Sequence, residues 1–174
     1  MDPTLGTSPA MPLFLAARLT AVIGNVSEEM EGAAHVALAL SQAGEWWSAI
    51  CTDPTAEALN EIERTSGGPA LDALWSGRIA RITSTLNHAQ WPEYIEACRH
   101  HGVGSAIAIP ISNDHDRIGV MTVASKDYYA FGPEETRIGV RAATRAANAL
   151  VGQPLVDRCV ELGGEASELG TVAG

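Results

Sequence analysis

A chain of 174 residues with 46% apolar content has the size of one globular domain and enough apolar side chains for a substantial core. Its 21 acidic residues outnumber the 11 basic ones, and the formal charge of −10 lacks the positive surface that phosphate backbones require, so no nucleic-acid partner is expected. Only 18% of the residues are charged, which argues against disorder in the body of the chain, and no apolar run reaches the roughly 18 residues of a membrane span.

Residues 1–10 mix Pro, Thr, Ser and Gly and are read as a flexible N-terminus, followed by one domain over 11–152 and a flexible acidic tail over 153–174. The apolar stretch from Pro12 to Val26 is not a signal peptide, because no Lys or Arg precedes it and Arg18 interrupts it. Pro12 suits a first helical residue, and Leu15, Leu19, Val22 and Val26 then draw one apolar stripe on a helix that ends near Gly32. His35 to Leu40 and Glu45 to Cys51, separated by Ser41-Gln42-Ala43-Gly44, read as a hairpin of antiparallel strands. Trp46 and Trp47 are adjacent on that second strand, so one faces inward and the other outward.

Asp53-Pro54 is an N-cap followed by proline and opens a helix from Thr55 to Thr65 that Gly67-Gly68 ends. Pro69 begins a shorter helix carrying Leu71, Leu74 and Trp75, stopped by Gly77. Ile79 to Thr83 is short and rich in β-branched residues, a third strand. After a polar loop, Trp91-Pro92 opens a helix with Tyr94, Ile95 and Cys98 on one side, which should lie over the sheet. Ser105 to Ile111 and Arg117 to Ser125 form a hairpin across Asn113-Asp114-His115-Asp116. Pro133, with Glu134 and Glu135 in the first turn, begins a helix running to about Val151. Ile138, Ala142, Ala146 and Ala149 make its small apolar face, while Arg137, Arg141 and Arg145 form a separate basic row. This order predicts an α+β domain with an antiparallel sheet of five or six strands, the terminal helices on one face and a pocket-covering helix on the other.

Gly68-Pro69, Gly77-Arg78, Trp91-Pro92, Gly102-Val103-Gly104-Ser105, Ile109-Pro110-Ile111, Ile118-Gly119-Val120 and Phe131-Gly132-Pro133-Glu134-Glu135 occur in an order that resembles the GAF domain family over about residues 30–150. The resemblance implies a sensory or regulatory module with a small-molecule pocket between sheet and helices, a homodimer through the terminal helices, and signalling to a further, unidentified protein partner. The departures from the family pattern also carry information. Cyclic-nucleotide-binding members carry Asn-Lys, then Phe, then Asp-Glu after three residues; here the stretch reads Ser125-Lys126, Phe131 and Glu135-Thr136, so a cyclic nucleotide is not expected. Cys51 and Cys98 lack a bilin-attachment context. The glycines Gly163, Gly164, Gly170 and Gly174 disfavour the helical RNA-binding antiterminator that follows some GAF domains.

Three cysteines, Cys51, Cys98 and Cys159, are too few and scattered for a disulfide framework and suit reduced thiols in a cytoplasm. The thiol chemistry of GAF-like free methionine sulfoxide reductases is a further alternative, but Ala70 stands where many relatives have Cys, and Cys98 sits in an apolar helix, the setting of a structural cysteine. Cys98 and His101, three apart, would supply at most two metal ligands, and no metal is expected. His115 falls in a hairpin turn and His35 at the start of a strand, neither with a visible partner. No nucleophile elbow, phosphate-binding loop or zincin motif is present in the sequence, so the chain is read as non-enzymatic. Trp75, Trp91, Tyr94 and Cys98 from the helices, with Ile107, Ile109, Met121 and Val123 alternating along the strands, are the candidate pocket residues. The alternative is a protein-interaction scaffold in which the same side chains fill the core.

Overall fold

The computed structural model describes residues 11–42 and 45–151, except for the side chains of residues 47 and 48. The predicted flexible ends and the Ala43-Gly44 turn therefore lie outside the described residues. Helix α1 spans Leu13–Glu29 and buries Leu15, Leu19, Val22, Ile23 and Val26, the predicted stripe with Ile23 added. Pro12 is its N-cap rather than its first residue, and its carbonyl accepts from the backbone of Leu15 and Ala16 at 3.0 Å.

Strands β1 (His35–Gln42) and β2 (Glu45–Cys51) pair antiparallel, with a register shift between Leu40 and Ser41. Helix α2 (Pro54–Ser66) starts at Asp53, whose carboxylate accepts from the Ala56 backbone N–H at 3.0 Å. Helix α3 (Pro69–Ser76) ends at Gly77, which takes the left-handed φ of 70° that a residue with a Cβ adopts only at a cost. Strand β3 is shorter than predicted, Ala80–Ile82. Helix α4 covers Pro92–His100, strands β4 and β5 cover Ser105–Ser112 and Arg117–Ser125, and helix α5 covers Pro133–Leu150.

The five strands form one antiparallel sheet in the order β2-β1-β5-β4-β3. Both central faces are buried, and they differ in kind. On one face Val36, Leu38, Leu40, Ile107, Ile109, Ile111, Met121 and Val123 pack against α1 and the alanine face of α5. On the other, Ala39, Ala106, Ala108, Val120 and Ala124 meet α2, α3 and α4. The first face is thus built of large aliphatic side chains and the second largely of small ones, with α3 set directly against β4 and β5 and α4 packed chiefly on α2. Burying each large aliphatic side chain stabilises the fold by about 2 kcal/mol, so the face under α1 and α5 carries most of the hydrophobic stabilisation.

The Glu135 carboxylate accepts from the Gly132 N–H at 2.9 Å, and Phe131 is buried in the core under α1 and α5. The Phe and acid of the Phe131-to-Glu135 segment thus serve the start of α5. Arg81 on β3 donates to the Phe131 carbonyl at 3.2 Å and to Thr136 Oγ1 at 2.7 Å, tying the sheet edge to the same helix start.

Candidate functional site

The predicted pocket residues do not come together. Ile107, Ile109, Met121 and Val123 share one face, as alternation requires, but that face is covered by α1 and α5. Tyr94 and Cys98 lie on the opposite side, in a cluster with Leu59, Ile82, Ala106 and Ala124. Trp75 projects from α3 at 63% exposure and lines neither cluster. Trp91 precedes α4 rather than belonging to it: its backbone is left-handed at φ 53°, and its half-buried ring stacks on His88 at 5.2 Å. The alternation has the period of a strand, but its large apolar face is roofed by α1 and α5 rather than by α4. Of the predicted set, Tyr94, Cys98 and Trp91 remain on the alanine face.

Below α2 and α4 lies a small, partly enclosed chamber bounded by His35, Ala37, Leu59, Asn60, Glu63, Tyr94, Thr122 and Ala124 among others. Its open volume is about 10 Å³, the scale of a single water molecule. Glu63 is its principal polar group and was not singled out from the sequence, although a signal was there. Ala56, Leu59, Asn60 and Glu63 recur at helical spacing and all are buried, so Glu63 occupies the inward stripe of α2.

Glu63 is 1% exposed. Its Oε1 accepts from the Ala70 N–H at 2.8 Å, in the first turn of α3, and Thr122 Oγ1 lies 3.4 Å from Oε2 as a weak donor. Gly68 makes this reach feasible, because a Cβ there would stand 2.6 Å from Glu63 Cγ. Among the described residues no Lys or Arg pairs with this carboxyl. Burial pushes it up to about 8, against the lowering effect of the Ala70 and Thr122 hydrogen bonds. It is therefore predominantly protonated near neutrality.

Tyr94 is fully buried, and its hydroxyl makes no hydrogen bond of normal geometry among the described residues, although the Cys98 thiol lies close enough to interact with it. An unpaired buried hydroxyl costs about 1–3 kcal/mol. Burial, with Glu63 and the thiol of Cys98 nearby, holds the phenol well above its usual range. The Cys98 thiol, one turn along α4, is pushed up to about 12, chiefly by burial. Cys51 is half-buried, and burial with Glu57 and Asp53 nearby raises its thiol to about 11.

His35 at the start of β1 does have a partner, since Nδ1 lies 2.8 Å from Asp53 Oδ1. Its Nε2 is buried with no protein partner among the described residues. Burial raises the Asp53 carboxyl, but the hydrogen bonds from Ala56, Thr52 and His35 outweigh it, leaving Asp53 below the usual carboxylate range.

A second, open concavity of about 640 Å³ lies outside the chamber, lined by Ala49, Cys51, Pro54, Glu57, Ala58, Asn60 and Glu61. Asn60 belongs to both walls. His100 and His101 are exposed while Cys98 is buried, so the thiol and the imidazoles at this helix end do not converge. Among the described residues no three His, Cys, Asp or Glu side chains are placed to hold a metal ion. Gly102 has φ 69°, as a tight turn requires, and Gly104 packs directly under the Lys126 backbone.

A family model described as GAF domain matches residues 8–150. No curated protein matches the chain. Among solved structures, the GAF domain/HD domain protein from Geobacter sulfurreducens aligns with a TM-score of 0.64 at 15% identity, covering 82% of this chain and 96% of that one. The GAF domain of a two-component sensor histidine kinase from Bacillus halodurans aligns with a TM-score of 0.55 at 13% identity, covering 89% and 99%. The type II free methionine-R-sulfoxide reductase from Thermoplasma acidophilum aligns at 0.56 and 15% identity, covering 79% and 92%. At these identities the likeness is one of fold.

Proposed function

The chain belongs to the GAF domain family, and we propose that it is a non-enzymatic, cytoplasmic sensor that takes a small molecule between the sheet and its α2–α4 cover. The observation that carries this reading is the polar chamber: among the described residues, a buried acid without a cationic partner and a buried hydroxyl without a hydrogen bond of normal geometry, set in a face rich in small side chains. Such groups are costly to a fold and point to a ligand that satisfies them.

Transmission follows from the sheet. β1, β4 and β5 carry chamber-side residues at Ala37, Ala106 and Ala124, and core residues under α1 and α5 at the alternating positions. A ligand that moves α2 or α4 relative to these strands biases the helical layer on the far side, which is the coupling a sensor requires. Leu13 and Phe14 on α1, Val140 on α5 and Val151 just past its end are exposed, and they are the surface on which a second copy would pair and a protein partner would read the state.

The two described thiols, Cys51 and Cys98, favour the non-enzymatic reading. A reductase nucleophile needs a lowered pKa, whereas Cys51 and Cys98 are both raised. The small volume of the chamber favours one second reading, an interaction scaffold with its pocket filled.

Native mass spectrometry of protein isolated under non-denaturing conditions from its source organism distinguishes the two. The sensor reading expects a non-covalent small-molecule adduct that Leu59→Trp removes, and an adduct-free spectrum supports the scaffold. Light scattering tests the pairing: a dimer that Phe14→Glu dissociates is expected, and a monomeric wild type refutes it.

A further inference from the structure

We propose that the chamber beneath α2 and α4 is a receptor for a primary ammonium group, held by the Glu63 carboxylate and the Tyr94 hydroxyl, with the rest of the ligand lying in the groove beyond Asn60. The proposal deepens the sensor reading and rests on it. It begins from the chemistry of the walls. Glu63 Oε1 is engaged by the Ala70 N–H, which leaves Oε2, with only a 3.4 Å contact to Thr122, as the acceptor without a strong partner. The Tyr94 hydroxyl is fully buried and makes no hydrogen bond of normal geometry among the described residues, its one polar neighbour on α4 being the weakly bonding Cys98 thiol. When Nδ1–H of a neutral His35 donates to Asp53, Nε2 is left as an acceptor in the same wall. Among the described residues no Lys or Arg lines the chamber. A set of acceptors around one carboxylate suits a compact cation with several N–H donors.

Size and approach agree with this. An open volume of about 10 Å³ admits one group of the size of water, and an ammonium head is such a group. The outer groove of about 640 Å³ has room for a substituent and is lined by Glu57 and by Glu61, whose carboxylate is already paired with Arg64 at 2.5 and 2.9 Å. Glu57 is left to attract a cation to that mouth. Binding converts the buried acid to a paired carboxylate: the Glu63 proton leaves to solvent as the ammonium group takes its place, so charge balances inside the chamber.

The test uses the full chain in phosphate buffer near pH 8, with Tris excluded because it is itself a primary amine. Thermal unfolding and calorimetry are followed with ammonium, methylammonium, n-butylammonium, tetramethylammonium and sodium chlorides at equal ionic strength. A primary ammonium salt is expected to stabilise the wild type in a saturable way, while tetramethylammonium and sodium give no such response. Glu63→Gln, which preserves shape and the Ala70 contact, should weaken that binding by about tenfold or more, and Tyr94→Phe should weaken it severalfold.

A response to ammonium alone identifies the free ion as the ligand, and stronger binding of n-butylammonium identifies a substituted amine seated in the groove. Equal responses to tetramethylammonium, no response to any primary ammonium salt, or undiminished binding in both variants overturns the proposal. If native mass spectrometry shows an adduct that is not an amine, the sensor reading stands and the ammonium receptor falls; if no adduct and no ammonium response appear, both fall.

Discussion

Replacing Glu63 by Gln tests whether α2 carries a neutral acid in the folded chain. The native carboxyl is raised to about 8 from a reference of 4.5, so between those values the folded state holds a proton that the unfolded state has released. The sign follows directly: this group's contribution to stability falls as pH rises and levels off once the native carboxyl ionises. Between about pH 6 and pH 8 the loss is about 2 kcal/mol, taking about 1.4 kcal/mol per pH unit and allowing for partial ionisation at the upper end. The groups that face Glu63 are His35 on β1, Asp53 beside it, and Tyr94 and Cys98 on α4. Asp53 is held below the usual carboxylate range, while Tyr94 and Cys98 are raised away from the interval. Ionisable groups remote from the chamber contribute equally to both proteins and cancel when the variant is compared with the wild type.

Urea unfolding in amine-free buffers, read by circular dichroism, supplies the free energies. Near pH 6 the two proteins should have similar stability, and near pH 8 the Gln variant should be the more stable by about 2 kcal/mol. Parallel stability curves across this interval would show that Glu63 is not held as a buried neutral acid. A wild type that gains on the variant as pH rises would reverse the sign and refute the electrostatic account of the chamber.

Three further outcomes follow from the two unlike faces of the sheet. Ile107→Ala should destabilise the fold by about 2–4 kcal/mol in denaturant unfolding and leave methylammonium affinity unchanged, because Ile107 lies under the terminal helices; a selective loss of affinity would place it in the pocket after all. Gly119→Ala should cost about 1–3 kcal/mol, since its Cβ would stand 2.5 Å from the Ala39 carbonyl oxygen across the β1–β5 pairing, and a neutral outcome in thermal unfolding would contradict that close approach. Peptide mapping after brief treatment of native protein with iodoacetamide at about pH 8 should find Cys98 unlabelled, because the thiol is buried and raised to about 12; rapid alkylation would restore the thiol-enzyme alternative.

Most of the architecture was legible because each element carried a local marker. The stripe from Leu15 to Val26, the Asp53-Pro54 start of α2 and the strands flanking Asn113 all form where local chemistry places them. The site was less legible for two physical reasons. Alternation along β4 and β5 separates Ile107 from Ala108 and Met121 from Thr122, but both faces are buried, and period alone does not say which helices cover which face. The size difference between the faces was the missing clue. Glu63 escaped notice because a single acid in a helix rich in Glu reads as solvated; its position on the Ala56-Leu59-Asn60 stripe says otherwise.

The hydrogen bond from Ala70 to Glu63 depends on the bare backbone of Gly68, two residues earlier. That dependence couples two sites over evolutionary time. A lineage that acquires a side chain at the glycine has to shorten or relocate the acid, and one that loses the acid is released from keeping the glycine. Comparison of descendants of this sequence should therefore find the two positions changing together, with the glycine surviving longest wherever the acid is retained.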